Sequence, residues 1–365
     1  MHSVTFSFAA ARTQEDPRPA PDSPEALLAV ATAQPGSRRR APLATPPAPE
    51  PLAFLDTAWG LLVLLTVFAA SVATTPNDVP RSAFLARAES FASPFVTPAF
   101  FLLAGVVLHR SIDAPWPAYL MRKVAPLAWR LVAVASVAAL VASWLRTMQN
   151  PLRLLPGALT GLLLDPPPLF LILAQLVLCF LAARALRGVR ALVALPVLAA
   201  LEIGHPDFGG PFFAGSCRLM VYLYAGHIFA PEIRQIARFS ARDHQYAVAG
   251  IAAWALANLI ATSVRLPMAG NPLVSTLPFA SLGLGLFGAA AIVSFASLID
   301  NIANTATLRW IGARALGAFL GYYLLVEIWR ALAPRVPTVL SLAIPALAAG
   351  GIWATVAMAR RARGE

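Results

Sequence analysis

Residues 53–75, AFLDTAWGLLVLLTVFAASVATT, decide the fold class. They carry a single charge, Asp56, close to the front. About 20 consecutive apolar residues in a helix cross the hydrocarbon core of a bilayer, and this run is long enough. Nine further segments of the same character follow, at 92–109, 126–146, 167–185, 189–203, 211–230, 245–263, 275–298, 310–330 and 336–359. The chain is 58% apolar and only 12% charged, where a soluble domain carries about 25% charge. Backbone groups in lipid must be satisfied internally, and the period-two alternation of a membrane barrel is absent. The expected fold is therefore all-α, a polytopic transmembrane helical bundle of about ten spans.

The net charge of +11 could suggest nucleic acid, but its distribution argues for a membrane. One set of connections holds Arg38 to Arg40, Arg110, Arg122, Lys123, Arg184, Arg187, Arg190, Arg234, Arg238, Arg242, Arg309, Arg314, Arg360, Arg361 and Arg363. The other holds only Arg81, Arg87, Arg146, Arg153, Arg265, Arg330 and Arg335. The division, 17 against 7, places the first set in the cytoplasm by the positive-inside rule and both termini with it. That requires an even number of spans, in agreement with the hydropathy reading. Lys123 is the only lysine among 28 basic residues, a bias that fits a GC-rich bacterial genome and hence a bacterial inner membrane.

Residues 1–51 are rich in Pro, Ala and Arg, lack a run suited to a signal peptide and cannot support a core. They read as a disordered cytoplasmic tail before a membrane domain at 52–360. The apolar stretch 151–164 reads as a short interfacial or re-entrant helix. Cys179 and Cys217 fall within predicted spans and read as small core residues. No Cys/His spacing suits a metal, and no internal repeat suggests a symmetric transporter.

Several phrases have a recognisable order. They are Leu55-Asp56-Thr57-Ala58-Trp59-Gly60, Phe100-Phe101-Leu102-Leu103-Ala104-Gly105, and Tyr119 to Lys123 with Pro126 and Arg130. Arg218 with Tyr222 to Gly226 follows, then Ile311-Gly312 with Ala315, Phe319 and Tyr322. Together, over about 52–335, they resemble the integral-membrane acyltransferase 3 family. That resemblance implies transfer of an acyl group, often acetyl, from a cytoplasmic donor such as acyl-CoA to a cell-envelope carbohydrate or lipid, with no bound cofactor.

The chain departs from the family at the positions that carry chemistry. The family's first phrase, Leu-Asp-x-x-(Arg/Lys)-Gly, has Trp59 at the basic position. The essential histidine, eleven residues on, is Ala70. The two positions share a helix face about 16 Å apart along the axis. Ala104 and Ala315 stand where the family has serines, Phe319 where it has a tyrosine and Tyr322 where it has a histidine. Acyl transfer needs a general base and groups that stabilise the developing oxyanion, so the catalytic residues are left unassigned.

Among the remaining polar residues, Arg122, Lys123 and Arg130 are candidates for binding a donor phosphate. Asp56, Glu202, Arg218, Tyr222 and Glu327 are candidates for lining a cavity, because charges within spans usually face a cavity or a partner. Asp56 could instead cap its helix, and Arg218 could form a buried pair with Glu202, Asp56 or Glu327. His109 and His227, at cytoplasmic helix ends, are candidate replacement bases. The expectation is an acyltransferase-like membrane protein that works with the bilayer and a carbohydrate or lipid acceptor, not nucleic acid. The alternative is a catalytically inactive descendant serving as carrier, lipid-binding protein or partner subunit.

Overall fold

The computed structural model describes residues 53–73, 83–147, 157, 160, 168–204, 210–267 and 271–332. The tail 1–51, the predicted span 336–359 and nearly all of 151–164 lie outside them, as do the side chains of Ala70 and Glu327. The described residues are almost wholly helical. They contain no strand, only an isolated bridge between Arg265 and Leu273.

Among the described residues, eleven α-helices have eight residues or more. They are α1 Ala53–Ala73, α2 Ala83–Leu108, α3 Ala125–Thr147, α4 Pro168–Ala185, α5 Ala191–Gly204 and α6 Gly210–Ile228. The rest are α7 Ala230–Arg242, α8 His244–Ser263, α9 Pro278–Ile302, α10 Ala306–Ala313 and α11 Ala315–Leu332. Helix α3 is entered through a short helix, Trp116–Tyr119, and a π-helical turn, Leu120–Val124.

Among the described residues, five helical stretches are long and apolar enough to cross a membrane: Ala83–Leu108, Trp116–Val141, Phe170–Gly188, His244–Ser263 and Pro278–Ile302. Shorter apolar stretches occupy Ala53–Ala69, Ala191–Gly204 and Ala315–Leu325. Two of the other predicted spans, 189–203 and 211–230, fall on helices that are short or carry polar residues. Helix α5 has 14 residues, a length of about 21 Å, and α6 carries Ser216, Cys217, Arg218 and His227. Helix α2 holds Pro94 and Pro98 in its interior, which apolar helices tolerate where neighbouring helices re-satisfy the freed carbonyls.

Helix α7 occupies a stretch expected to be a loop. Its buried residues Ala230, Ile233, Ala237 and Ser240 recur at helical spacing, while Arg238 and Arg242 are exposed. It is amphipathic, too polar to register as a span, and packs along the end of α9. There Ser297 Oγ donates to the Ala237 carbonyl at 2.6 Å and Asn301 Nδ2 to the Ala241 carbonyl at 2.8 Å.

The two most extensive helix contacts are α2 with α6 and α1 with α10. Both are glycine crossings. A Cβ at Gly105 would strike the Leu223 carbonyl, and one at Gly226 the Leu102 carbonyl. A Cβ at Gly60 would strike the Leu308 carbonyl, and one at Gly312 the Asp56 carbonyl. Small residues let helix backbones approach closely where the hydrophobic effect does not drive association.

Contacts at helix termini gather one end of the bundle. The start of α1 meets the end of α9 through Thr57 and Asp300, and the end of α2 meets the end of α6 through His109 and His227. The end of α4 meets the α2–α3 connection: Arg184 donates to the Ala114 carbonyl at 2.7 Å, and Arg187 pairs with Asp113 at 2.7 Å. Arg184 also lies 5.3 Å from the Trp116 ring centroid, within cation–π range. Because most of the basic connections sit here, we call this the basic end.

Candidate functional site

At the positions picked out by the phrases that resemble the acyltransferase 3 family, the structure places aromatic packing. Trp59 is buried, its ring edge-on to Phe100 with centroids 5.0 Å apart, and Phe100 meets Phe319 edge-on at 5.3 Å. Such edge-to-face pairs add about 0.5–1.5 kcal/mol beyond area burial. Ala104, Ala315, Phe319 and Tyr322 are all buried. A small cleft lined by Thr66, Thr97, Phe100, Ile172, Leu173 and Phe319 adjoins this stack. It has space for about one water molecule. Two threonine hydroxyls are its only side-chain polar groups, and nothing among its lining residues can act as a base at neutral pH.

Polar chemistry gathers instead in three clusters. The first lies at the basic end, where α1, α9 and α10 meet. Thr57, fully buried, donates to Asp300 Oδ1 at 2.7 Å, Thr305 donates to the same oxygen, and Arg309 Nε stands 3.5 Å from it. Arg309 also donates to Thr305 Oγ1 at 3.0 Å. Asp56 lies within electrostatic reach of both Asp300 and Arg309. The helix starts three residues before Asp56, which puts its carboxylate in the first turn and not at the N-cap position.

The second cluster joins the ends of α2 and α6. His109 Nδ1 hydrogen-bonds the His227 carbonyl at 2.8 Å, which requires the Nδ1–H tautomer, and the two imidazoles lie 5.3 Å apart. His227 Nδ1 is buried without a hydrogen-bond partner. These two residues are 118 positions apart in the chain, and the glycine crossing of α2 and α6 brings them together.

The third cluster lies toward the opposite end. Glu202, two residues from the end of α5, is 2% exposed. Its Oε1 accepts from Tyr222 at 3.2 Å and from Ser281 at 3.0 Å, while Oε2 is buried with no partner. Arg218, one helical turn before Tyr222, is exposed and lies within electrostatic reach of the Tyr222 phenol. It makes no ion pair with Glu202. Tyr224, on the other side of α6, donates to the Val189 carbonyl at 3.3 Å.

Three of the candidate cavity residues, Glu202, Tyr222 and Arg218, thus converge, and Asp56 belongs to the separate cluster at the basic end. Glu327 lies in α11, its side chain outside those described. Of the candidate donor-binding residues, Arg122 is exposed and Lys123 half-buried on the π-helical turn, and Arg130 is half-buried within α3. Sequence reasoning missed Asp300, Thr305, Arg309 and Ser281. Asp300 and Arg309, charges flanking a span boundary, carried a readable signal; the two hydroxyls carried none. Among the described residues, no group of three or more His, Cys, Asp or Glu could hold a metal ion.

Comparison with known proteins returned no match to any family model, curated protein or solved structure.

Proposed function

We propose that the protein is a multi-pass membrane protein of the acyltransferase 3 type whose histidine-dependent site is closed, leaving a non-catalytic carrier, lipid-binding protein or partner subunit. In this reading it has about ten spans in a bacterial inner membrane, with the basic end and both termini cytoplasmic. The observation that carries the proposal is the division of labour within the resembling phrases. Gly60, Gly105, Gly226 and Gly312 are retained, and all four sit at helix crossings where no other residue fits. The positions for charge, base and hydroxyl have become Trp59, Ala70, Ala104 and Ala315. Packing requirements have outlived chemical ones.

The test is acetyl transfer by the purified protein. The wild type should stay at background with acetyl-CoA and hydroxylated acceptors, and robust turnover that survives His109→Ala and His227→Ala would overturn the proposal.

A second reading, an active transferase with a relocated base, has one observation in its favour: the unpartnered His227 Nδ1 beside His109. Turnover abolished by either histidine substitution, with the fold intact, would establish it.

A further inference from the structure

We propose that the His109–His227 contact is a pH-sensitive latch, which fastens the ends of α2 and α6 near neutral pH and releases them as the pH falls. The two helix ends meet there with little slack. A Cβ on Gly105 would strike the Leu223 carbonyl and, at 2.8 Å, the backbone nitrogen of His227. The imidazoles therefore project from backbones already in contact. His109 Nδ1–H donates to the His227 carbonyl at 2.8 Å, which ties the His109 ring to the other helix. The ring centroids are 5.3 Å apart, with the planes inclined at 44°.

The two rings differ in how they tolerate a proton. His109 is half-buried, and its imidazolium still donates from Nδ1, so a charge on it leaves the hydrogen bond in place. His227 Nδ1 is buried and has no hydrogen-bond partner. Protonating that ring would bury an N–H with nothing to accept it and set a second positive charge beside the first. Movement of the His227 ring toward water relieves both. Because His109 is tied to the His227 carbonyl, that movement works against the contact between the helix ends. Histidines held between two packings in this way let a fold respond to pH between about 5 and 8.

The surroundings leave the balance to this pair. His109 opposes a charge on His227 and Asp113, from the α2–α3 connection, favours it. The Asp113 side chain is 74% exposed and is already bound to Arg187 of the α4 end at 2.7 Å. Arg184, also from α4, is turned to the Ala114 carbonyl and the Trp116 ring. On α6, Tyr224 stands 6.0 Å from the His227 ring with its hydroxyl donated to the Val189 carbonyl. Arg110, Arg190 and Glu232 are exposed, and Arg234 of α7 donates to the Ala230 carbonyl at 3.2 Å.

The sign of the effect follows. A histidine that stays neutral in the closed state and charges on release stabilises closure above its ordinary value of about 6.5. That stabilisation is lost progressively as the pH falls below it. The inference does not rest on acyl transfer, and its test uses no substrate, so its failure leaves the transferase-type reading standing. Under the membrane placement proposed above, the pH that is read is that of the cytoplasm.

The test is hydrogen–deuterium exchange of the full-length protein in lipid nanodiscs, corrected for the intrinsic pH dependence of amide exchange. It compares about pH 7.5 with about pH 5.5, one unit to either side of the ordinary histidine value. Amides at the ends of α2 and α6 should lose about tenfold in protection at the lower pH, as expected for one titrating group. Those in the middle of α9 should keep theirs. His227→Gln should abolish the loss, and His109→Gln, which keeps a donor for the His227 carbonyl but takes no charge, should shrink it. Asp113→Asn, at an exposed position, removes the carboxylate that favours the charge and should move the midpoint of the loss down by about half a pH unit. Equal wild-type protection at the two pH values, or a loss undiminished in His227→Gln, would overturn the inference. Should His227→Gln not fold, an unmoved midpoint in Asp113→Asn overturns it instead.

Discussion

Helices α2 and α8 have similar apolar character and opposite fates. Both are long enough to span a membrane, yet 72% of the apolar window of α2 is buried inside the bundle and 17% of that of α8. The difference lies in their surfaces. Helix α2 presents Gly105 to α6, and its Phe95 is packed against Gly288 of α9. Helix α8 has Gly250 with nothing within 4 Å of its would-be Cβ, and it exposes Val248, Leu256, Leu259 and Ile260. In lipid, apolar side chains gain little by facing protein instead of acyl chains, so close backbone approach and polar contacts decide which helix is central. Even α8 is anchored by a polar contact: fully buried Asn258 donates to the Phe91 carbonyl of α2 at 2.7 Å.

The sharpest way to break this comparison is to ask whether the central region can be given catalytic chemistry. Trp59→Arg with Ala70→His would introduce the cation and base that the acyltransferase 3 family, which the chain resembles, places on its first helix. A general base contributes roughly two to four orders of magnitude in rate, so acetyl transfer should rise above the wild-type background by up to that factor. An unchanged rate in a folded double variant would show that the site is closed by more than these two residues.

The next largest effect concerns the glycine crossing. Gly226→Ala should destabilise the protein by about 3 kcal/mol, since the added methyl meets the Leu102 backbone carbonyl and overpacking of this kind costs about 1–3 kcal/mol or more. Thermal unfolding in detergent would measure it. A smaller loss is expected from Thr57→Val at the basic end, which leaves Asp300 without one of its hydrogen-bond donors. Hydrogen bonds to charged groups contribute about 1.5–3 kcal/mol, and the retained Thr305 and Arg309 contacts put the cost at the low end, again read by thermal unfolding.

The smallest effect belongs to α8. Gly250→Ala meets open space and should stabilise by up to about 1 kcal/mol through helix propensity. A loss as large as that at Gly226 would show that α8 is covered by a protein partner and does not face lipid.

The resembling phrases were legible as words without their grammar. Gly60, Gly105, Gly226 and Gly312 could be quoted from the sequence, but nothing in it said that Gly105 pairs with Gly226, or that Gly60 and Gly312 mark the crossing of α1 and α10. The clusters show the same limit. His109 and His227 could be placed at helix ends, and Glu202, Arg218 and Tyr222 could be singled out as polar groups in apolar runs. Their convergence depends on which helices cross, a property of pairs of segments far apart in the chain. Ser281 could not have been chosen at all, because a hydroxyl in an apolar helix can satisfy itself on its own backbone and so carries no signal until its neighbour is known; Thr305, at the N-cap position of α10, reads only as a cap.

What the sequence by itself determined was local. Apolar runs of spanning length force helices, because lipid offers the backbone no alternative partner. The spacing of Ile233, Ala237 and Ser240 on α7 is likewise written in the chain, although its polar residues hid it among the connections. Tertiary structure alone decided which helices are central, which oxygen of Glu202 is left unpaired, and that Trp59 fills its site edge-on to Phe100. These follow from close approach between backbones and from side-chain shape, which hydropathy and motif spacing do not encode.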